Sequence, residues 1–153
     1  MSKGKNKRSV QRSIRNAIGY SALGLVVVVA VFLMLRGNAP AGVPSLAVEN
    51  TAIDLGNIQD YTPTIFTIRV TNTGTGPLRF TEQPYIQVLE GCCPPELAIG
   101  KMTLQPGESA VVTSSQFMMH PGMDGPHNYA VHLVTNDPAQ PDLVVNVLSN
   151  WSQ

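Results

Sequence analysis

Residues 66–74 read Phe66-Thr67-Ile68-Arg69-Val70-Thr71-Asn72-Thr73-Gly74. Phe66, Ile68 and Val70 alternate with Thr67, Arg69 and Thr71, which is the period of two expected of a half-buried strand. The turn Thr73-Gly74-Thr75-Gly76-Pro77 closes it. The same pattern repeats on both sides. Strands are expected at 46–55 (A, broken near Asn50 and ended by Gly56), 64–72 (B), 78–89 (C, interrupted near Pro84), 97–104 (D), 109–117 (E), 128–135 (F) and 143–148 (G). Gly91 to Pro95, Pro106-Gly107 and Asn136-Asp137-Pro138 supply turns between them. Seven short strands over 46–153 predict an all-β, seven-stranded immunoglobulin-like sandwich.

The formal net charge of zero hides a split. Residues 1–45 hold Lys3, Lys5, Lys7, Arg8, Arg12, Arg15 and Arg36 and no acid. Residues 46–153 hold Arg69, Arg79 and Lys101 against ten acids, a formal balance of −7. An acidic domain argues against nucleic acid as a partner, because phosphate binding needs a basic surface.

The basic end precedes Ala17–Leu35, an uncharged apolar stretch. At about 1.5 Å per residue it reaches roughly 28 Å as a helix, close to the hydrocarbon core of a bilayer. The expected organisation is a basic cytoplasmic tail (1–16), one transmembrane helix (17–35), a Gly/Pro/Ala linker (36–45) and the sandwich (46–153). The cations ahead of the helix place the N-terminus in the cytoplasm and the sandwich outside it, at the cell membrane. The lipid bilayer is thus one expected partner. A cleaved signal peptide is the alternative, with Ala39-Pro40-Ala41 as an A-x-A site, although signal h-regions are usually shorter than this one.

Two segments of the sandwich carry possible chemistry. Cys92 and Cys93, the only cysteines, are adjacent. A disulfide between neighbours closes no loop and so contributes little to stability, which shifts weight to a ligand, redox or intermolecular role. Downstream, Met118-Met119-His120-Pro121-Gly122-Met123-Asp124-Gly125-Pro126-His127 packs three thioethers and two imidazoles into one turn-rich loop. Sulfur with imidazole favours copper, above all Cu(I), over hard cations. Cys92, Cys93, His120 and His127 would also suit zinc, the second choice, but structural zinc sites usually space their cysteines and thioether is a poor zinc ligand. The candidate metal ligands are Cys92, Cys93, His120, Met123, His127, Met119 and Met118. Each also has a bland reading: Met118 or Met119 as the end of strand E, and His127 as a surface residue opening strand F. Met102 reads as packing, His132 as outward-facing, Tyr129 as a tyrosine corner and Trp151 as a cover over the far end of the domain. Consecutive strands alternate direction, so the C–D and E–F connections should share the end remote from the start of strand A.

The motifs Ile53-Asp54-Leu55-Gly56-Asn57-Ile58, Phe66 to Gly74 and Pro77-Leu78 resemble a bacterial family of extracytoplasmic Ig-like domains of unknown function, related in fold to major-sperm-protein-type sandwiches. A cysteine-containing turn after the third strand, Pro106-Gly107-Glu108 and Thr135-Asn136-Asp137-Pro138 extend the resemblance over about 46–148. It implies the fold. It implies no function, and it does not cover the Met/His loop. The family often has Cys-Gly-Cys where this chain has adjacent cysteines.

No Ser/His/Asp order, paired-carboxylate context or phosphate loop stands out, so an enzyme is not expected. The leading expectation is a membrane-anchored copper carrier that delivers its ion to a membrane-associated protein partner. The alternative is a metal-free interaction module or accessory subunit, with Cys92 and Cys93 in a disulfide and the Met/His loop as a contact surface. A thiol–disulfide partner is a third reading.

Overall fold

A computed structural model describes residues 42–153. The tail, the expected transmembrane helix and most of the linker lie outside them. Among the described residues no helix is long and apolar enough to cross a membrane.

The regular elements described are all strands. One sheet has the order β1 (Leu46–Val48), β3 (Thr67–Asn72), β8 (Ser109–Ser114), β6 (Leu97–Ile99). A second has the order β2 (Ala52–Gln59), β10 (Asp142–Ser152), β9 (Gly125–Val134), β5 (Tyr85–Glu90). The short strands β4 (Leu78–Arg79) and β7 (Thr103–Leu104) pair with each other. Phe66, Ile68, Val70 and Val112 from the first sheet bury against Tyr129, Val131, Leu133, Val145, Val147 and Trp151 from the second. The alternation read at Phe66, Ile68 and Val70 is therefore the core face, as expected of a sandwich.

Three of the seven expected strands are each two elements. Strand A breaks at the exposed Glu49-Asn50-Thr51, as expected. Its first half runs antiparallel to β3, and its second half crosses over to run parallel to β10. One stretch of chain thereby edges both sheets. Strand C breaks ahead of Pro84, which has no N–H for a ladder. Strand D breaks at Gly100-Lys101, which alternation alone did not indicate, because Thr103-Leu104 leaves β8 to pair with β4. Strands A, F and G are longer than expected. Gly56 does not end strand A, since β2 runs through it to Gln59. β9 starts at Gly125, inside the Met/His loop, and β10 reaches Ser152.

Two buried polar side chains organise the end where β1 begins. Asn72 donates from Nδ2 to the carbonyls of Gly76 (2.8 Å) and Leu104 (2.9 Å), and its Oδ1 accepts from the Gly74 N–H (3.0 Å). Asp137 accepts backbone N–H bonds from Leu46 (2.7 Å), Ala139 (2.8 Å) and Gln140 (3.3 Å), which fastens the β9–β10 turn to strand A. Burial pushes the Asp137 carboxyl up, but these three donors outweigh it and hold it below its ordinary 3.8.

Asn72→Ala removes its three bonds and a longer one from the Ser45 N–H (3.4 Å) and leaves their partners unsatisfied, so chemical denaturation should show a loss of about 2–4 kcal/mol. Asp137 has a folded value below its unfolded one. Its stabilisation is therefore complete above the ordinary carboxylate value and is lost as pH falls through the depressed one. Denaturation midpoints should drop below about pH 4 in the native domain, and Asp137→Asn should flatten that drop at the cost of a lower midpoint at neutral pH.

Candidate functional site

Gly91 to Glu96 connect β5 to β6, and Ser115 to Asp124 connect β8 to β9. Both connections lie at the end away from the Asp137 clasp, as the parity of the strands requires, and they touch. The Cys93 thiol lies 3.9 Å from the Met123 sulfur.

The cysteine turn has an uncommon backbone. Gly91 has φ +84° and Cys93 has φ +57°. The left-handed region is open to glycine but costs an L-residue about 1–2 kcal/mol. In extended chain, neighbouring side chains point to opposite faces. The left-handed Cys93 breaks that alternation, and the two thiols converge to 2.8 Å, the Cys93 thiol donating to the Cys92 sulfur. That bond, then burial, then the neighbouring Cys93 charge push the Cys92 thiol up. Cys92 is half-buried and Cys93 is exposed.

Two β9 side chains support the turn from within. The buried Tyr129 hydroxyl donates to the Cys92 carbonyl at 2.6 Å. Burial, with the two thiols second, pushes the phenol up, so it stays a donor. This corrects the tyrosine-corner expectation: the bond spans to the C–D connection rather than to backbone a few residues upstream. His127 is 2% exposed, not a surface residue. Its Nδ1 lies 3.1 Å from the Gly125 carbonyl. A carbonyl only accepts, so in the neutral ring Nδ1 carries the proton and Nε2 is a bare lone pair. That Nε2 is shut from solvent and has no hydrogen-bond partner. Gly91 lies against the ring, and a Cβ there would come within 2.6 Å of Cγ and 2.9 Å of Nε2.

The other candidates separate. Met119 is fully buried in the core, as a packing residue, but it lies in the β8–β9 connection and not at the end of strand E, since β8 stops at Ser114. Met118, half-buried, lies in the same connection. The Tyr61 N–H donates to the Met119 carbonyl (2.8 Å) and the Met123 N–H to the His120 carbonyl (2.9 Å), which folds the loop so that exposed His120 rests edge-on against Tyr61, ring centres 4.9 Å apart. Beside it, burial and the Asp124 carboxylate raise Asp60. Among the described residues no three His, Cys, Asp or Glu side chains converge as a metal-ligand group, so the Cys2His2 arrangement is not preformed. What does converge is three sulfurs, those of Cys92, Cys93 and Met123, with the orphaned His127 nitrogen behind the same turn. His132 faces outward as expected, between Asp142 (2.9 Å) and Gln87 (3.3 Å) and stacked on Tyr85. Met102 packs against the core. Trp151 is buried at this end of the core, bonded from Nε1 to the Ser149 hydroxyl.

Gly91 and the Tyr129 hydroxyl are the functional positions that sequence reasoning missed. A glycine before Cys-Cys signals a turn, but not the ring packed against it.

No protein-family model matches the chain. No curated protein matches it. Solved structures do resemble it. A Porphyromonas gingivalis W83 protein of unknown function is 21% identical with a TM-score of 0.54, over 72% of this chain and 47% of its own. The Vibrio cholerae secreted serine protease VesC is 13% identical with a TM-score of 0.51, over 71% and 23%. The VesB protease of the same organism is 18% identical with a TM-score of 0.50, over 69% and 31%. The chain spans less than half the length of each, and at these identities the likeness is one of fold alone.

Gly91→Ala should cost about 2–3 kcal/mol in chemical denaturation, from the positive φ and the collision with His127 together. In a Gly91→Ala/His127→Ala double variant the collision disappears and the φ cost remains. The two losses should therefore sum to more than the double variant shows.

Proposed function

We propose that this domain carries Cu(I) outside the cytoplasm and hands it to a membrane-associated protein, with Cys92, Cys93 and Met123 as the primary ligands and His127 Nε2 as a further donor. The observation that carries this reading is the conjunction of three converging sulfurs with a buried imidazole nitrogen that has no hydrogen-bond partner among the described residues. A buried polar atom without a partner costs roughly 1–3 kcal/mol, and a metal ion held by that atom would offset the cost. Two thiolates are soft donors that favour Cu(I) and zinc over hard cations, and the thioether, which is not among zinc's usual ligands, favours Cu(I) of the two.

The residues divide the work. Cys93 is exposed and meets an incoming ion first. Binding displaces the protons of both thiols to solvent, and the positive ion offsets the repulsion of two thiolates held this close. Met123 adds a neutral sulfur that a competing ligand can displace. Tyr129 holds the turn by its backbone and leaves the sulfurs free to exchange. Transfer is ligand exchange at the open side of Cys93, in which only metal–ligand bonds and thiol protons change. The apolar stretch 17–35 would tether the carrier beside its clients.

A metal-free interaction module is the second reading. It is favoured by β5, a sheet edge with exposed Tyr85 and Leu89, which could pair with an extended partner segment.

Anaerobic titration of the reduced protein with Cu(I), against a chromophoric chelator, separates the two. One tight equivalent is expected. Cys92→Ser/Cys93→Ser should abolish it, and Met123→Leu or His127→Phe should each weaken it by about 10–100-fold. His120→Ala should leave it unchanged. Equal binding by the wild type and the cysteine variant would remove the copper reading and leave the interaction module.

A further inference from the structure

We propose that Cys92 and Cys93 are also a reversible thiol/disulfide couple, exchanging two electrons with an external dialkyl disulfide, and that closing the vicinal disulfide empties the metal site. The second half rests on the copper reading, and the first half does not.

The geometry supports the couple independently of any metal. The two sulfurs lie 2.8 Å apart, within an ångström of the length of an S–S bond. Backbone conformation sets this proximity, through Gly91 and the left-handed Cys93, and the Tyr129 bond to the Cys92 carbonyl secures it. The pair is also asymmetric in access. Cys93 is exposed, while Cys92 is half-buried behind it. That is the arrangement of an attacking and a resolving thiol.

The electrons balance as follows. The Cys93 thiolate attacks one sulfur of R–S–S–R, forming the Cys93–S–S–R mixed disulfide and releasing RS⁻. The Cys92 thiolate then attacks Cys93 Sγ, forming the Cys92–Cys93 disulfide and releasing the second RS⁻. The protein loses two electrons and two protons, and the external disulfide gains them as two RSH. Neither oxidised sulfur remains a thiolate, so only Met123 and His127 of the proposed donors survive, and a neutral pair binds Cu(I) more weakly.

The full chain in detergent, free of metal, is incubated with oxidised glutathione, quenched with an alkylating agent and weighed. The expected product is monomeric, two hydrogens lighter, carries no glutathione and no alkyl group, and reverts with reduced glutathione. Cys92→Ser should stop with one glutathione on Cys93, because the resolving thiol is missing. Cys93→Ser should react slowly, because only the half-buried thiol remains. Two glutathiones on the wild type, a disulfide-linked dimer, or reduced thiols throughout would each overturn the couple. A second arm repeats the oxidation after Cu(I) loading. Retarded oxidation, with copper released as the disulfide forms, is the expected result, and oxidation with copper retained would overturn the coupling. Because the first arm holds no copper, failure of the copper reading and failure of the couple give different results.

Discussion

The ladder between β9 and β10 is the constraint on which the rest of the domain hangs. It runs unbroken in register from Asp142 opposite Val134 to Trp151 opposite Gly125. Everything in the second sheet attaches to it: β2 along the outer side of β10, β5 along the outer side of β9. Its inward face, Tyr129, Val131, Leu133, Val145, Val147 and Trp151, is one wall of the core. The same stripe, still at a period of two, takes in His127 and Ser149, which are opposite each other, with Trp151 beyond Ser149. Polar groups are thereby carried into a buried place by a repeat that elsewhere buries apolar side chains. The site at the far end is a continuation of the core, which gives it a buried back and an exposed front.

That continuation has an energetic cost that aliphatic residues would avoid. Ser149 is satisfied by the Trp151 indole and Tyr129 by the Cys92 carbonyl. His127 is satisfied only at Nδ1. The cysteine turn adds a non-glycine residue in the left-handed region. Unsatisfied buried atoms and strained backbone are uncommon, and when they fall within one short stretch they mark where a fold has been held away from its stability optimum. At the opposite end, Asn72 and Asp137 are buried with every bond made, so burial of polar groups there contributes stability. The two ends of one sandwich therefore treat buried polarity in opposite ways.

Much of this was legible in the residues. Phe66, Ile68 and Val70 indicated a half-buried strand by period alone, and counting strands placed Cys92-Cys93 and the Met/His loop at one end. The breaks at Asn50 and Pro84 could be read from composition, since a polar run and a missing N–H act locally. The break at Gly100 could not, because it follows from a pairing between Thr103-Leu104 and Leu78-Arg79 that only the tertiary fold supplies. The donor set was legible as a list and not as a geometry. Sequence spacing does not say that Met119 faces the core and His120 faces Tyr61, since two backbone bonds in the loop decide both. The convergence of the adjacent cysteines was not legible either: extended chain would point them to opposite faces, and Cys93 is left-handed.

The left-handed residue also explains why adjacent cysteines can do here what separated ones do elsewhere. A spacer between two cysteines leaves their sulfurs to be brought together by a turn of several residues. With no spacer, the same convergence must come from one rotated peptide unit, and Gly91 supplies the freedom to enter it while Pro94 and Pro95 restrict the exit. Such a turn is stiff in its backbone and free at its sulfur tips. Stiffness keeps the two thiols within bonding reach of each other, and freedom at the tips lets them separate around something larger. On the proposed reading one short stretch of chain would serve a metal ion and a disulfide by turns, with occupancy by one excluding the other, because both draw on the same two sulfurs.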